Sequence, residues 1–272
     1  MCLTGDGMTP DPLAQVRCFL FDMDGTVFLG GRLLPGAAEL LAYLPARRIP
    51  HYFLTNNSSR SRAEYQAKLV GLGLDVTLEQ IFSSGQATAL YLQQRAPGAR
   101  IFLAGTPSLE QEFRSYGFNL TDEDPQYVVL GFDTTLTYAK LVRLCDFVRA
   151  GLPYIATHPD VNCPTETGFI PDIGAMMALV AASTGRQPDV IIGKPHPPIV
   201  QVVAAWTGYR GAEIAMVGDR LYTDIALGQE GIYTVLVLSG ETKLADLPGA
   251  PFQPDLVVKD LAELNHKLAG AD

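Results

Sequence analysis

Along most of the chain, short runs of aromatic and branched apolar residues alternate with stretches whose apolar positions recur every three or four residues. The runs have the length and composition of strands, and the recurring positions mark the buried face of a helix. Residues 17–21 (RCFLF) and 51–55 (HYFLT) read as the first two strands. Between them, Ala37, Leu40, Leu41 and Leu44 carry helical spacing over 36–47, and a second helix covers 61–72 before the stop at Gly71-Leu72-Gly73. Late in the chain, 214–217 and 234–238 are expected strands, 222–229 is helical between them, and a closing helix spans 261–268.

The middle of the chain repeats this grammar independently. Strands are expected at 101–104, 127–130 and 154–156, and helices at 108–116, 138–150 and 173–184, the last capped by Asp172 and stopped by Gly185. Alternating strands and helices are the signature of βα units on a parallel sheet. The expected fold class is therefore α/β: a Rossmann-like, doubly wound parallel sheet core with a second, inserted α/β unit. The expected boundaries are 1–84 for the first part of the core, including a mobile leader over 1–15, then 85–185 for the insert and 186–272 for the rest of the core.

Composition narrows the function classes. At 47% hydrophobic and 18% charged residues, the 272-residue chain suits a folded protein with a sizeable core. No apolar run approaches the roughly 18 residues of a membrane helix. The formal charge of −9 weighs against nucleic acid or an anionic membrane as partner, although a metal or lysine reverses the field locally within one cleft. Cys2, Cys18, Cys145 and Cys163 are scattered without a C-x-x-C pair. That spacing suggests neither a zinc site nor a disulfide framework, and a cytoplasmic setting is expected.

Four segments carry candidate chemistry. Asp22-Met23-Asp24-Gly25-Thr26 follows the first strand directly. Two carboxylates at a strand end can divide covalent and acid–base work, although Asp and Gly are also ordinary turn residues. An EF-hand is excluded, since Thr26 and Val27 stand where its ligand and glycine belong. Thr55-Asn56-Asn57, at the second strand's end, offers either a phosphate cradle or a helix-capping loop. Lys194, in Gly193-Lys194-Pro195, is either a charge partner for phosphate and carboxylates or solvated surface. Gly218-Asp219-Arg220-Leu221-Tyr222-Thr223-Asp224 brings two more carboxylates to a strand end, and Asp224 also suits a helix start. Hard oxygen donors of this kind favour Mg²⁺ over softer metals.

In this joint order, Asp-x-Asp-Gly-Thr, Thr-Asn-Asn, Gly-Lys-Pro and Gly-Asp-x-x-x-Thr-Asp, the chain resembles the haloacid dehalogenase superfamily from about Val16 onward. Within it, the chain looks like the NagD-like, p-nitrophenylphosphatase-like subgroup with an α/β cap inserted between the second and third motifs. The resemblance implies a Mg²⁺-dependent phosphatase of small phosphorylated metabolites, either sugar phosphates or nucleotide-like monoesters, that works through an aspartyl-phosphate. Asp22 is implied as nucleophile and Asp24 as acid and base. Thr55, Asn56 through its amide and Asn57 fall on the phosphate-binding segment, with Lys194 neutralising charge around Asp22. Mg²⁺ is implied on Asp22, the Asp24 main-chain carbonyl and Asp219, with Asp224 as ligand or orienting neighbour. Relatives with this cap type pair through it, which implies a homodimer.

Two positions depart from the subgroup's pattern: His158 stands where Asn is common, and Asp172 where a second glycine is expected. His158 either contacts substrate or bonds only to its own backbone. Two alternative functions use the same fold: phosphotransfer of the mutase type, and a binding module without catalysis. Neither a membrane pump nor a Walker-type kinase fits, because membrane helices and the G-x-x-x-x-G-K-[ST] motif are missing from the sequence.

Overall fold

The computed structural model describes residues 12–165 and 168–270. Its larger sheet has six strands in the order Leu256–Val258, Tyr233–Val237, Ile214–Gly218, Cys18–Phe21, His51–Thr55 and Ile81–Ser83. Every neighbouring pair is parallel. Numbered along the chain, this is the doubly wound order 3-2-1-4-5-6 read from the other edge. The first and fourth strands are therefore neighbours at the point where the winding reverses.

Period-two alternation assigns side chains to the two faces of this sheet. Phe19, Phe21, Phe53, Val217 and Val235 point to one face, where Leu40 and Leu44 of the helix Ala37–Ala46 and Leu261 and Leu264 of the helix Leu261–Gly270 cover them. Leu20, Leu54, Phe82 and Met216 point to the other, under the helices Ser84–Arg95 and Pro197–Thr207. Each fully buried phenylalanine contributes about 2–3 kcal/mol of transfer free energy to this core.

A second, five-stranded parallel sheet runs Val190–Ile191, Tyr154–Ala156, Tyr127–Leu130, Arg100–Ala104 and Asn119–Leu120. One face packs on the helices Tyr138–Arg149 and Ile173–Thr184 through Leu144, Val148, Met177 and Val180. From its other face, Leu103, Val129 and Ile155 join the same apolar cluster as Leu20, Leu54 and Phe82. The strands of this sheet span 100–191, and the helix Ser84–Arg95 precedes them. Asp172 caps Ile173–Thr184 by accepting from Ile173 N at 2.6 Å, and Gly185 ends it at φ 75°.

Several elements differ from the sequence pattern. The expected helix over 222–229 is a turn followed by the 3-10 helix Ile225–Glu230. The strand Ile81–Ser83, the helices Ser84–Arg95 and Pro197–Thr207, and the antiparallel hairpin Asn162–Thr165 with Gly168–Pro171 add to the expected elements. Three-residue strands show no period, and glycine and serine at the start of Ser84–Arg95 mask its helical face. Of the expected leader, residues 1–11 lie outside the described residues, while Pro12–Gln15 forms a 3-10 turn that buries Leu13 in the core. Among the described residues, no helix is long and apolar enough to cross a membrane.

Candidate active site

Where winding reverses, the C-terminal ends of the first and fourth strands open a crevice, the usual place for a ligand on such sheets. Asp22 leaves the first strand there, with its N–H still donating to Val217 O at 2.9 Å. Asp219 leaves the fourth strand beside it. Between them the loop 23–28 folds back on itself, as Met23 O accepts from Val27 N at 2.9 Å and from Phe28 N at 3.1 Å. Gly25 makes the fold possible: it holds φ +90°, and a Cβ there would meet Asp219 Oδ2 at 2.4 Å. Thr26 Oγ1 donates to Asp219 Oδ1 at 3.3 Å, tying the first motif to the last.

Lys194 sits at the centre, 2% exposed. Its ammonium donates to Asp22 Oδ1 and Asp224 Oδ1, both at 2.7 Å, and to Leu54 O at 3.0 Å. Three acceptors satisfy all three N–H groups. Burial alone would lower the lysine's pKa, but the charges of Asp22 and Asp224 outweigh it and hold the lysine protonated well above its usual range.

Asp22, Asp219 and Asp224 place carboxylate oxygens within 4.8 Å of one another, all buried. Burial first, then the charges of Asp22 and Asp224, push Asp219 up to about 7. Asp224 is raised by burial, against the pull of Lys194. Three crowded carboxylates with one lysine among them are a donor set that a divalent cation fits: it relieves the repulsion that otherwise forces protonation. Asp224 is already engaged, since its Oδ2 accepts from Arg220 N at 3.2 Å while Oδ1 holds Lys194.

The carboxylate of Asp24 stands apart from this cluster. It is half-buried, with Lys68 Nζ at 3.8 Å, and burial raises its pKa against the opposing charge of Lys68. A carboxyl whose pKa is raised is better suited to hand a proton to a leaving group.

Thr55, Asn56 and Asn57 line the same pocket as Asp22, Asp24 and Lys194. Thr55 Oγ1 accepts from Asn57 N at 3.1 Å. The Asn56 side chain clasps the lysine segment, accepting from Lys194 N at 2.8 Å and donating to Lys194 O at 2.9 Å. It also donates to Asp160 Oδ1 at 3.0 Å. Asn57 turns its Oδ1 to Ser59 N at 2.9 Å and its amide nitrogen toward Cys163 Sγ at 3.9 Å. Asp22, Asp24, Thr55 and Lys194 thus line one pocket with the two asparagines, and Asp219 and Asp224 join it through their cluster with Asp22.

The pocket has further walls that the motifs did not point to: Asp160, Cys163, Pro164 and Asp172 from the inserted segment, and Arg220 and Thr223 from the core. Arg220 and Thr223 lie inside the last motif, so the signal was present there. The other four come from the hairpin region, whose exposed strands show no buried period. His158 follows neither expectation. It is fully buried, bonds side chains rather than its own backbone, and is not among the residues lining the pocket.

Comparison with known proteins agrees with this arrangement. Residues 19–119 match the family model for haloacid dehalogenase-like hydrolases, and 191–264 match a second, HAD-hydrolase-like model. The chain belongs to the haloacid dehalogenase-like hydrolases. An acid sugar phosphatase of Staphylococcus aureus (strain MRSA252) is 36% identical over 253 residues, covering 92% of this chain and 97% of that one. The crystal structure of a 4-nitrophenylphosphatase from Thermotoga maritima superposes with a TM-score of 0.91 at 47% identity, covering 94% and 98% of the two chains. NagD from E. coli K-12 superposes with a TM-score of 0.85 at 32% identity, covering 91% and 98%. The chain falls in the NagD-like, p-nitrophenylphosphatase-like branch, and its enzyme class is phosphoric monoester hydrolase.

Proposed function

We propose that this enzyme hydrolyses phosphate monoesters of small metabolites, sugar phosphates or nucleotide-like esters, through an aspartyl-phosphate on Asp22. The observation that carries the reading is the position of Asp22 at the winding reversal, 2.7 Å from Lys194 Nζ and clustered with Asp219 and Asp224. The names of the sugar phosphatase and nitrophenylphosphatase relatives support the substrate class.

A carboxylate oxygen of Asp22 attacks phosphorus and forms an acyl phosphate while the ester P–O bond breaks. Asp24 gives its proton to the departing oxygen, which leaves as an alcohol. A water then attacks the same phosphorus, Asp24 takes the water's proton, and the bond to Asp22 breaks to release phosphate and restore the enzyme. Thr55 Oγ1 and the backbone N–H of Asn56 hold the transferring phosphoryl group, with Asn57 shaping the loop. Lys194 offsets negative charge beside Asp22 throughout.

Mg²⁺ is the cofactor of this reading, supported by the all-oxygen donor set. Asp22, Asp219 and the Asp24 carbonyl would hold it, with Asp224 orienting Lys194 and the 220 loop. When bound, it supplies charge neutralisation of the phosphoryl oxygens. Phosphate monoesters react so slowly unaided, with enzymatic accelerations up to about 10²¹-fold, that neutralisation and alignment are both required.

The inserted unit acts as a cap that selects the leaving group, since Asp160, Cys163, Pro164 and Asp172 reach the pocket from it. Pairing of two copies through the cap belongs to this reading, supported by the exposed Val161, Phe169 and Ile170 of the hairpin region. A cytoplasmic setting belongs to it as well, on the cysteine spacing. The direct test is phosphate release from p-nitrophenyl phosphate with Mg²⁺. Wild type should turn over, while Asp22→Asn and EDTA-treated enzyme should not. An Asp22→Asn variant with wild-type rate would rule out the covalent route.

A further inference from the structure

The crevice is lined by Asp22, Thr55, Asn56 and Lys194 from the core motifs, and also by Asp160 and Asp172 from the inserted unit and by Arg220. His158, Asp160 and Asp172 bring side-chain donor or acceptor atoms within 4.8 Å of one another. That trio is not arranged for a cation. His158 Nε2 stands 3.0 Å from Asp172 Oδ1, and its Nδ1 stands 3.0 Å from Thr157 Oγ1 and 3.3 Å from Ser84 Oγ. Both ring nitrogens are already engaged, so neither has a lone pair to give.

The positive charges of the pocket are engaged too. Arg220 lies between two carboxylates, with Nη1 at 3.5 Å from Asp160 Oδ2 and Nε at 3.1 Å from Glu241 Oε2. Lys194 lies between Asp22 and Asp224, at 2.7 Å from each. Asp172, 3% exposed, holds both His158 Nε2 and Ile173 N on the single oxygen Oδ1. An ionised carboxylate accepts hydrogen bonds and donates none. It repels a like charge most strongly where water is excluded.

We propose that Asp172, fixed in place by His158, determines leaving-group specificity: with Asp160 it admits neutral, hydroxyl-bearing leaving groups and rejects those carrying a carboxylate or second phosphate. This rests on the phosphatase reading above and adds to it the residues that choose. Asp172 and the His158 that holds it are the pair that departs from the subgroup's pattern, and they contact each other. A hydroxyl donates to the carboxylates of Asp160 and Asp172, whereas a second anion meets them with Lys194 held between Asp22 and Asp224 and Arg220 between Asp160 and Glu241.

The test uses the full chain with Mg²⁺ and two esters that differ only in one group, glycerol 3-phosphate with a terminal CH₂OH and 3-phosphoglycerate with a carboxylate in its place. Wild type should favour the first by at least about tenfold in kcat/KM. Asp172→Asn removes the charge but keeps an oxygen to cap the helix, and should bring the ratio at least about fivefold closer to one. Asp160→Asn should move it the same way, which covers the case in which the first variant fails to fold. A wild-type ratio near one, or an unchanged ratio in a folded variant, overturns this assignment alone. No phosphate release by wild type from either ester or from p-nitrophenyl phosphate overturns the phosphatase reading, and this assignment falls with it.

Discussion

Lys194 Nζ stands 2.7 Å from Asp22 Oδ1, although 172 positions separate the two residues in the chain. The contact brings the third motif onto the first, and it explains why a fully charged lysine can be buried here. Lys194 is wedged between two carboxylates and a main-chain carbonyl, so its charge is matched on three sides. Replacing it with Met leaves Asp22 and Asp224 buried without their partner. Breaking a buried pair from one side costs about 3–5 kcal/mol. Lys194→Met should therefore melt several degrees lower in EDTA, recover part of that loss with Mg²⁺, and lose about 10²-fold or more in kcat. Calorimetry with and without Mg²⁺, alongside phosphate release, checks both parts.

Asp22 and Asp24 should separate in kinetics. On the proposed mechanism, Asp22→Asn removes the nucleophile and should lower kcat by at least about 10³-fold on every ester. On the same mechanism, Asp24→Asn removes a proton donor, worth about 10²–10⁴-fold. Its loss should be smaller with p-nitrophenyl phosphate, whose leaving oxygen needs little protonation, than with an alkyl phosphate. Equal losses on both esters would contradict the acid role of Asp24.

Without metal, the aspartate cluster should make stability depend on pH in an unusual direction. The folded chain keeps the proton of Asp219 up to about pH 7, while an unfolded chain releases it near 3.8. Between those values the folded state binds more protons, so this group's contribution makes stability rise as pH falls. In EDTA, the wild-type melting temperature minus that of Asp219→Asn should increase as pH is lowered from 8 to 6. Buried His51, whose pKa is lowered by desolvation, works the other way below about 6.5 but is common to both proteins. Saturating Mg²⁺ should remove the trend, because a cation takes the place of the proton. A difference that stays flat in EDTA would mean the three carboxylates do not interact as their spacing requires.

Gly25→Ala tests the loop between the two strands. A methyl group there would meet Asp219 Oδ2 at 2.4 Å, on a backbone at φ +90° that alanine adopts at a cost of about 1–2 kcal/mol. The variant should bind Mg²⁺ at least about tenfold more weakly, read by the metal concentration giving half-maximal rate, while keeping the fold. Wild-type metal dependence would show that the loop yields without moving Asp219.

Much of the site was legible because its residues sit at strand ends, and strand ends are marked by where an apolar run stops. Asp22, Thr55 and Asp219 each follow such a run directly, and Lys194 lies in a short motif held by glycine and proline. The pocket walls from the insert were not legible. Asp160 and Asp172 flank a hairpin whose residues are mostly exposed, so no buried period marks them, and both read as turn or cap residues. Asp172 does cap its helix, and only the fold shows that the same carboxylate also reaches His158 and the pocket. The stretch 222–229, expected as helix, is a turn followed by the 3-10 helix Ile225–Glu230, whose buried Ile225, Ala226 and Leu227 are consecutive rather than spaced along one helical face.

By itself the sequence determined the α/β class, the inserted second unit and which carboxylates stand at strand ends, because periodicity and strand-end motifs are local properties. The order of the six strands was decided only by the tertiary structure. That order puts the first and fourth strands side by side, and so gathers carboxylate oxygens of Asp22, Asp219 and Asp224 within 4.8 Å of one another, with Lys194 bonded to Asp22 and Asp224. The pairing of His158 with Asp172 and the matching of Arg220 by Asp160 and Glu241 were decided there as well. The physical reason is common to all of them. Charge compensation in a buried site depends on distances across the fold, and a sequence encodes which groups are present without encoding which of them meet.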